Sequence, residues 1–498
     1  MIAFVILAAG RGSRMGRVGD VLPKCLAPLQ EKAVLSHIIG NGAGNRIIIV
    51  TGYKSELVEQ YVRAAYPFLD VEFVRAIDWD QPSGGPGSSL LAARKAVGDN
   101  PMLFTSCDTL WTPVRRIDWS TSWVAVAPTP IGTAPDRWCR VIVNDDDRVV
   151  GFLDKTVNHA DEQLAYTGLG FIRRNDLQCF WTGLEDGRSV GELQVTPGLE
   201  RVADHAGMHA ELIQWTDVGD EGAYRQAVEE FSGYDWVKTG QVTYVMPDVD
   251  RVVKFAEDPV IIERRVERAK QLAPMVPDVE RFGPHFMAYD YVRGKTAYDD
   301  IVENGVSTTH GMLTWWREHV YSSAVQVEPR HRYASERFYV EKTNDRITML
   351  RPDLRQRALD AVSRIDMLQL AKDIVPGVFH GDFNYGNVIA AKTGGFVGID
   401  WREDFAGHIE FGDLRYDLGK MLAGTVIHWG HAQVGDFSVW TAGPFHYDAI
   451  LRFAYTLGFD RHDLAIIGAL SLINSAPLHA SPLDEIAVTR ACRWLERI

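Results

Sequence analysis

His380-Gly381-Asp382-Phe383-Asn384-Tyr385-Gly386-Asn387, followed by Ile399-Asp400-Trp401, decides how the second half of this chain is read. The stretch has the form H-x-D-x-x-x-x-N, with a further aspartate beyond a short apolar run. That spacing sets one carboxylate, Asp382, where a hydroxyl proton is received or oriented. It sets a carboxamide, Asn387, and a second carboxylate, Asp400, where Mg²⁺ ions bridging phosphates are held. His380 would brace the loop. Phosphoryl transfer asks a protein mainly for positioning and charge neutralisation, so acidic and amide side chains dominate such a motif. A different signature opens the chain, Leu7-Ala8-Ala9-Gly10-Arg11-Gly12-Ser13-Arg14-Met15. Two phosphate-handling stretches on one chain point to two consecutive reactions.

The opening stretch follows an apolar run that reads as a first strand. Glycines let a backbone approach phosphate oxygens, and successive N–H groups make an anion nest. Leu7, Ala8, Ala9, Gly10, Gly12 and Ser13 are therefore candidate nucleotide-binding positions. Arg14 and Lys24, the latter in Pro23-Lys24, are candidate catalytic cations for a triphosphate or its leaving pyrophosphate. A glycine-rich loop alone is as readily a tight turn. Two further features give it weight. Met102–Ser106 is an apolar strand leading to Asp108, at the end of a strand where open α/β sheets place ligands. Trp215-Thr216-Asp217-Val218-Gly219 brings a second carboxylate just before a helix. Two carboxylates plus substrate phosphates are the usual way of holding Mg²⁺.

The chain has 498 residues, 46% of them apolar and 24% charged, which gives a prior of two or three globular domains. No run of eighteen apolar residues predicts a membrane span. The opening Met1–Ala9 is short, lacks a basic flank and reads as a buried strand, not a signal peptide. Five scattered cysteines without a C-x-x-C pair predict a reducing, cytoplasmic setting and no structural zinc. A net charge of −14 argues against nucleic acid as a partner. Against it, Arg11, Arg14, Arg17 and Lys24 form a local basic cluster suited to a polyphosphate. Oligomeric state, including a homo-oligomer, stays open.

Up to about residue 230, short apolar runs alternate with helical stretches. Strands are predicted at Ile2–Ala9, Arg46–Thr51, Val71–Val74, Met102–Ser106, Trp123–Pro128, Arg140–Val143 and Leu169–Ile172. Helices are predicted at Glu31–Ile39, Ser55–Ala65 and Ser88–Val97. The alternation predicts an α/β layer with a mixed, mostly parallel sheet, Rossmann-like in character. A strand pair, Gln241–Met246 and Arg251–Phe255, follows, joined by the turn-forming Pro247-Asp248-Val249-Asp250. A charged helix over Val260–Leu272 comes next, and the chain is mainly helical beyond about residue 300. The predicted domains are 1–232 and 233–498, the second with a small lobe to about 292 and a helical large lobe from about 293.

Residues 1 to about 228 resemble the nucleotidyltransferases that make nucleoside-diphosphate sugars and cytidine-diphosphate alcohols, with the phosphocholine cytidylyltransferase branch the nearest in pattern. The resemblance is carried by Leu7–Met15 and Pro23-Lys24. It implies Asp108 and Asp217 as the metal-binding aspartates and Lys155 as a phosphate contact. It implies Tyr166-Thr167-Gly168 as lining of the acceptor pocket. Gln81–Leu90, with Gly85, falls at the base-recognition segment and departs from the Q-x-G-T-A of the sugar enzymes. Trp138 and Tyr166, near that implied pocket, are candidates for a cation–π box.

Residues from about 236 to 498 resemble the choline-kinase and aminoglycoside-phosphotransferase family, a protein-kinase-like two-lobed fold. Arg251–Phe255 is similar to the strand carrying the ATP-phosphate lysine, here Lys254. Its implied helix partner is Glu263, or Glu267 one turn later. Phe286–Gly294 resembles an adenine-holding hinge, with Tyr289 and Tyr291 in it. Gly412–Leu418 matches the family's structural helix after the metal aspartate. There is no clear glycine-rich loop before Lys254. Trp401–His408 replaces the shorter acidic-aromatic segment of choline kinases.

The expectation is a bifunctional enzyme using ATP, CTP or another NTP, and Mg²⁺. A small alcohol is phosphorylated, and its phosphate then accepts a nucleotidyl group. The product would be an activated head group for surface glycan or lipid decoration. Two alternatives stand beside it: a sugar kinase fused to a nucleoside-diphosphate-sugar pyrophosphorylase, and a nucleotide-binding regulatory protein without turnover.

Overall fold

A computed structural model describes residues 1–42, 44–114, 116–129, 138–153, 164–187, 191–229 and 239–497. The chain divides into two compact units, Met1–Gly233 with Tyr244–Met246, and Tyr234–Thr243 with Pro247–Ile498. The predicted boundary between 232 and 233 lies outside the described residues.

In the first unit the main strands are β1 (Ala3–Ala8), β2 (Arg46–Thr51), β3 (Val71–Arg75), β4 (Met102–Ser106), β5 (Thr109–Pro113), β6 (Trp123–Pro128), β7 (Leu164–Ile172) and β8 (His209–Asp217). Their order across the sheet is β3-β2-β1-β4-β7-β6-β8-β5. The first four are parallel, as the strand–helix alternation predicts. The rest is mixed: β7 runs antiparallel to β4 and β6, β8 is parallel to β6, and β5 is antiparallel to β8. Continuous apolar runs such as Phe4-Val5-Ile6 and Ile47-Ile48-Ile49 are buried because helices cover both faces. Helices Ser55–Ala65 and Pro86–Val97 connect the parallel strands.

The topology explains where the site lies. Strand β1 feeds the glycine loop at its carboxyl end, and neighbouring β4 leads to Asp108. Pairing of β8 with β5 sets Asp217 across from Thr109, so both carboxylates meet at one end of the sheet.

In the second unit, strands Arg251–Ala256, Phe286–Asp290 and Glu280–Phe282 form an antiparallel ladder, and helix Pro259–Leu272 packs against it. A predominantly helical region follows. Strands Val388–Ala391 and Phe396–Gly398 form a hairpin between the His380–Asn387 loop and Asp400. Helix Leu414–Val426 is almost wholly buried against helix Arg461–Ser475. No helix of the described residues is long and apolar enough to cross a membrane.

Candidate functional site

In the first unit Gly12 has φ +68°, the left-handed region that glycine enters without steric cost. A Cβ there would sit 3.2 Å from the Lys24 Cβ, so the loop turns directly over Lys24. Leu7, Ala8 and Ala9 are buried, Gly10 is open to solvent, and Ser13–Met15 forms one turn of 3₁₀ helix. The Lys24 Nζ donates to Asp108 Oδ2 at 2.6 Å. Burial works against the charge of Lys24, but the adjoining Asp108 carboxylate outweighs it and holds the ammonium above its ordinary range. Burial would likewise raise Asp108, and the Lys24 charge overrides it so that the carboxylate stays ionised. Arg14 is exposed and adds a smaller positive influence on both.

Asp217 accepts from the Gly219 N–H at 2.9 Å. A Cβ on Gly219 would lie 2.6 Å from Asp108 Oδ2 and 2.9 Å from Asp217 Oδ1. Gly219 is thus the floor on which the two carboxylates converge, and any side chain would drive them apart. Nothing in the sequence alone gives this glycine a role. Gly219→Ala is expected to leave the fold intact and to reduce nucleotidyl transfer at least ~100-fold, by loss of roughly 3 kcal/mol of transition-state stabilisation. Pyrophosphate release against Mg²⁺ concentration checks this; an unchanged profile would contradict it.

The other first-unit candidates fall as follows. Gly85 precedes helix Pro86–Val97, and its missing side chain is required by packing, since a Cβ would meet the Leu193 carbonyl at 2.5 Å. Tyr166 packs against Phe152 at 6.4 Å between ring centroids, and its buried hydroxyl lacks a hydrogen-bond partner. Trp138 packs edge-on against Trp215 at 5.4 Å, two residues before Asp217. Lys155 lies outside the described residues.

In the second unit the His380–Asn387 loop is held from several sides. Asp417, fully buried in helix Leu414–Val426, accepts from the backbone N–H groups of His380 at 2.9 Å and Gly381 at 2.7 Å, and from the Trp316 indole at 3.2 Å. Burial pushes its carboxyl up to about 6, the backbone bonds only partly opposing this. Arg268, buried in helix Pro259–Leu272, donates to the carbonyls of Phe379 and Arg402 and so ties the loop to the segment after Asp400. His380 accepts from the Asp382 N–H at 3.2 Å through Nδ1, and burial pushes its imidazole down to about 4, keeping it neutral. It acts as a packed brace.

Asn387 Nδ2 donates to Asp382 Oδ2 at 2.8 Å and to the Asp382 carbonyl at 3.0 Å, which fixes the carboxamide beside the carboxylate. Asp400 has φ +57°, the left-handed region that aspartate enters more readily than most residues with a side chain. It accepts from Lys254 Nζ, which also donates to Thr243 Oγ1 at 2.9 Å. Lys420, which the sequence did not flag, bonds Asp382 Oδ1 at 2.6 Å. Burial would raise Asp382, but Lys420 outweighs it and holds the carboxylate below its ordinary range.

The implied Glu263 partner of Lys254 is corrected. Glu263 is exposed, and Glu267 pairs instead with Lys270 at 2.7 Å. Helical phase is the reason: Ile262, Arg268, Ala269 and Leu272 are the buried residues of this helix, and Glu263 lies outside that stripe. It is Arg265, not a glutamate, whose charge is felt at Lys254, and Asp400 supplies the counter-charge. Glu263→Ala is expected to change stability by under ~0.5 kcal/mol; a loss of ATP-dependent activity beyond that of other exposed replacements would contradict the correction. Tyr289 is buried against Trp401 at 6.2 Å. The Tyr291 N–H is taken by the Asp250 carbonyl at 3.0 Å, so it has no free hydrogen to offer adenine.

Each unit therefore holds a lysine–aspartate ion pair, Lys24–Asp108 in the first and Lys254–Asp400 in the second, and in the second Lys420 pairs with Asp382 as well. Among the described residues no group of three or more His, Cys, Asp or Glu side chains forms an all-protein metal cage. A hard cation held here would draw its remaining ligands from phosphate oxygens and water.

Fold and site together define a chain of two phosphate-handling catalytic domains. Residues 4–130 match the MobA-like NTP transferase domain, and residues 259–451 match the phosphotransferase enzyme family. The chain carries one domain of each, both from families of enzymes. It is 35% identical over 102 residues to the bifunctional protein GlmU of Methylibium petroleiphilum, covering 20% of this chain and 21% of that protein. It is 25% identical over 256 residues to the CMP-5'-(3-aminopropyl)phosphonate synthase of Streptomyces rubellomurinus, covering 46% of this chain and 38% of the relative. It is 30% identical over 158 residues to the D-glycero-alpha-D-manno-heptose 1-phosphate guanylyltransferase of Aneurinibacillus thermoaerophilus, covering 30% and 66%. The chain thus spans from about a fifth to two thirds of these relatives. Among solved structures, CTP:phosphocholine cytidylyltransferase from Streptococcus pneumoniae aligns at a TM-score of 0.39 and 17% identity, over 46% of this chain and 99% of that one.

Proposed function

We propose that this chain is a bifunctional enzyme that phosphorylates a small hydroxylated metabolite with ATP and then transfers a nucleotidyl group from an NTP to the new phosphate, releasing pyrophosphate. The observation that carries this reading is the repeated lysine–aspartate pair, Lys24–Asp108 in one unit and Lys254–Asp400 in the other. A Mg²⁺–triphosphate complex offers a cation to the aspartate and an anion to the lysine. It can replace each pair without leaving a partly buried charge alone. In the first unit Asp108 and Asp217 would hold Mg²⁺, and Lys24 with Arg14 would neutralise charge on the triphosphate as the phospho-acceptor attacks its α-phosphorus. In the second, Asn387 and Asp400 would hold Mg²⁺, Lys254 would contact ATP phosphate, and Asp382 would receive or orient the acceptor hydroxyl.

CTP is the proposed nucleotide. The likeness to a CMP-phosphonate synthase and the departure of Gln81–Leu90 from the sugar-enzyme pattern support it. A sugar 1-phosphate acceptor with another nucleotide is the second reading, favoured by the likeness to a heptose 1-phosphate guanylyltransferase. Competition of the four common NTPs for one phospho-acceptor, read by pyrophosphate release, separates them: preference for CTP supports the first, and preference for GTP or dTTP supports the second. We further assign the product to cytoplasmic synthesis of an activated head group for surface glycan or lipid.

A further inference from the structure

Asp417 and Lys420 stand one turn apart on helix Leu414–Val426, and residues at that spacing share a helix face. That face clamps three consecutive residues of the catalytic loop. Asp417 takes the N–H groups of His380 and Gly381, and Lys420 Nζ meets Asp382 Oδ1 at 2.6 Å. The loop has little need of the Lys420 charge for its shape. Asn387 already bonds both Asp382 Oδ2 and the Asp382 carbonyl, while Asp417 and Arg268 hold the residues before it. A largely buried ion pair is also a poor source of stability, because desolvating two charges offsets their attraction. Among the described residues Lys420 forms no other ion pair, and Lys254 is committed to Asp400. The Lys420 side chain is 13% exposed and that of Asp382 36%, so the carboxylate is the member of the pair open to a substrate. Burial works against the Lys420 charge, and the Asp382 carboxylate outweighs it, so the ammonium persists.

Electrostatics gives that charge a task. A carboxylate beside the acceptor hydroxyl would repel the anionic phosphoryl group that the hydroxyl attacks. A hydroxyl donating to Asp382 Oδ1 at ~2.7 Å would lie no more than ~5 Å from Lys420 Nζ. We propose that Lys420 is a catalytic cation of the phosphoryl transfer, which offsets the Asp382 charge on the acceptor side and contacts an oxygen of the phosphoryl group in transit. This deepens the phosphotransferase reading and rests on it. The hydroxyl oxygen bonds the γ-phosphorus of ATP, the bond from that phosphorus to the β–γ bridging oxygen breaks to give ADP, and the hydroxyl proton passes to Asp382. Lys420 keeps its own proton throughout. As Asp382 is neutralised, the phosphoryl oxygens replace it as the counter-charge of Lys420. Water in the place of the hydroxyl gives ATP hydrolysis by the same route.

The test uses the full chain as wild type, Lys420→Met and Lys420→Arg. Steady-state ATP hydrolysis in Mg²⁺ gives kcat and KM. Calorimetry compares the binding of MgADP alone with that of MgADP plus aluminium fluoride, which imitates the phosphoryl group in transit. Lys420→Met is expected to lower kcat at least ~100-fold with the KM for ATP within ~3-fold of wild type. It should bind MgADP as the wild type does, which also reports that the nucleotide site is folded, and lose most of the tightening that aluminium fluoride brings. Lys420→Arg, which keeps the charge, should recover both kcat and the tightening to within ~10-fold of wild type. A Lys420→Met protein with wild-type kcat would overturn the proposal. So would one that loses affinity for MgADP and for MgADP with aluminium fluoride by the same factor, since a merely structural lysine behaves that way. Either result leaves the phosphotransferase reading intact. A wild type that neither releases ADP from ATP nor binds MgADP more tightly with aluminium fluoride would overturn that reading, and the proposal with it.

Discussion

Asp382→Ala is expected to lower ATP-dependent phosphoryl transfer on the order of a thousandfold, about 4 kcal/mol of transition-state stabilisation. The replacement removes the group that receives or orients the acceptor hydroxyl. It also strands Lys420 and Asn387, which bond that carboxylate at 2.6 and 2.8 Å. Nucleotidyl transfer should persist when the phosphorylated acceptor is supplied, because no residue assigned to it lies in this unit. Asp382→Asn keeps the shape and the Asn387 contact and should show nearly the same kinetic loss, which separates chemistry from folding. ADP release and pyrophosphate release from the same preparation check both halves. Loss of both activities in a folded protein would mean that the two sites do not work independently.

The second large effect belongs to Asp108. Asp108→Asn should cut nucleotidyl transfer by a similar order, about a thousandfold, while ADP release continues and the phospho-acceptor accumulates. Here the loss is twofold in origin. A candidate Mg²⁺ ligand is neutralised, and Lys24, only 18% exposed at its side chain, loses the negative charge 2.6 Å away. Because breaking a partly buried pair leaves a charge uncompensated, thermal stability should fall as well. Added NTP with Mg²⁺ should stabilise the wild type more than this variant. Equal stabilisation of both by the nucleotide would contradict the assignment of Asp108 to the metal-triphosphate site.

Much of this architecture is legible in sequence where local physics is strong. Arg46–Thr51, Met102–Ser106 and Trp123–Pro128 are strands end to end as predicted, because apolar runs of that length bounded by polar turns have few alternatives. The glycine loop and the H-x-D-x-x-x-x-N stretch are legible because their spacing is itself the chemistry. The reversal of strand direction at Leu164–Ile172 is not legible, since pairing partners are set by distant segments. Nor is Thr109–Pro113, a five-residue strand ending in proline, whose role is to carry Asp217 into place beside Asp108. Long-range contacts hide the rest. Lys420 reaches Asp382 across 38 positions, Asp417 is recognisable only once it caps the loop's N–H groups, and Gly219 gains meaning only when both carboxylates converge on it. Glu263 shows the opposite error. A one-turn choice along a charged helix cannot be made without its buried stripe, and that stripe turns Glu263 to solvent.

The central claim is that one chain performs the two transfers in sequence. It is tested most directly by following the phosphate. ATP labelled in its γ-phosphate is given with unlabelled CTP, Mg²⁺ and whichever acceptor releases ADP, and the nucleotide products are separated. The label is predicted to appear in a cytidine-containing product, in the phosphate that joins CMP to the acceptor, and to vanish from it in either Asp382→Ala or Asp108→Asn. Label that stops at the phosphorylated acceptor with every NTP, or that reaches the nucleotide product in the Asp382→Ala variant, would contradict it.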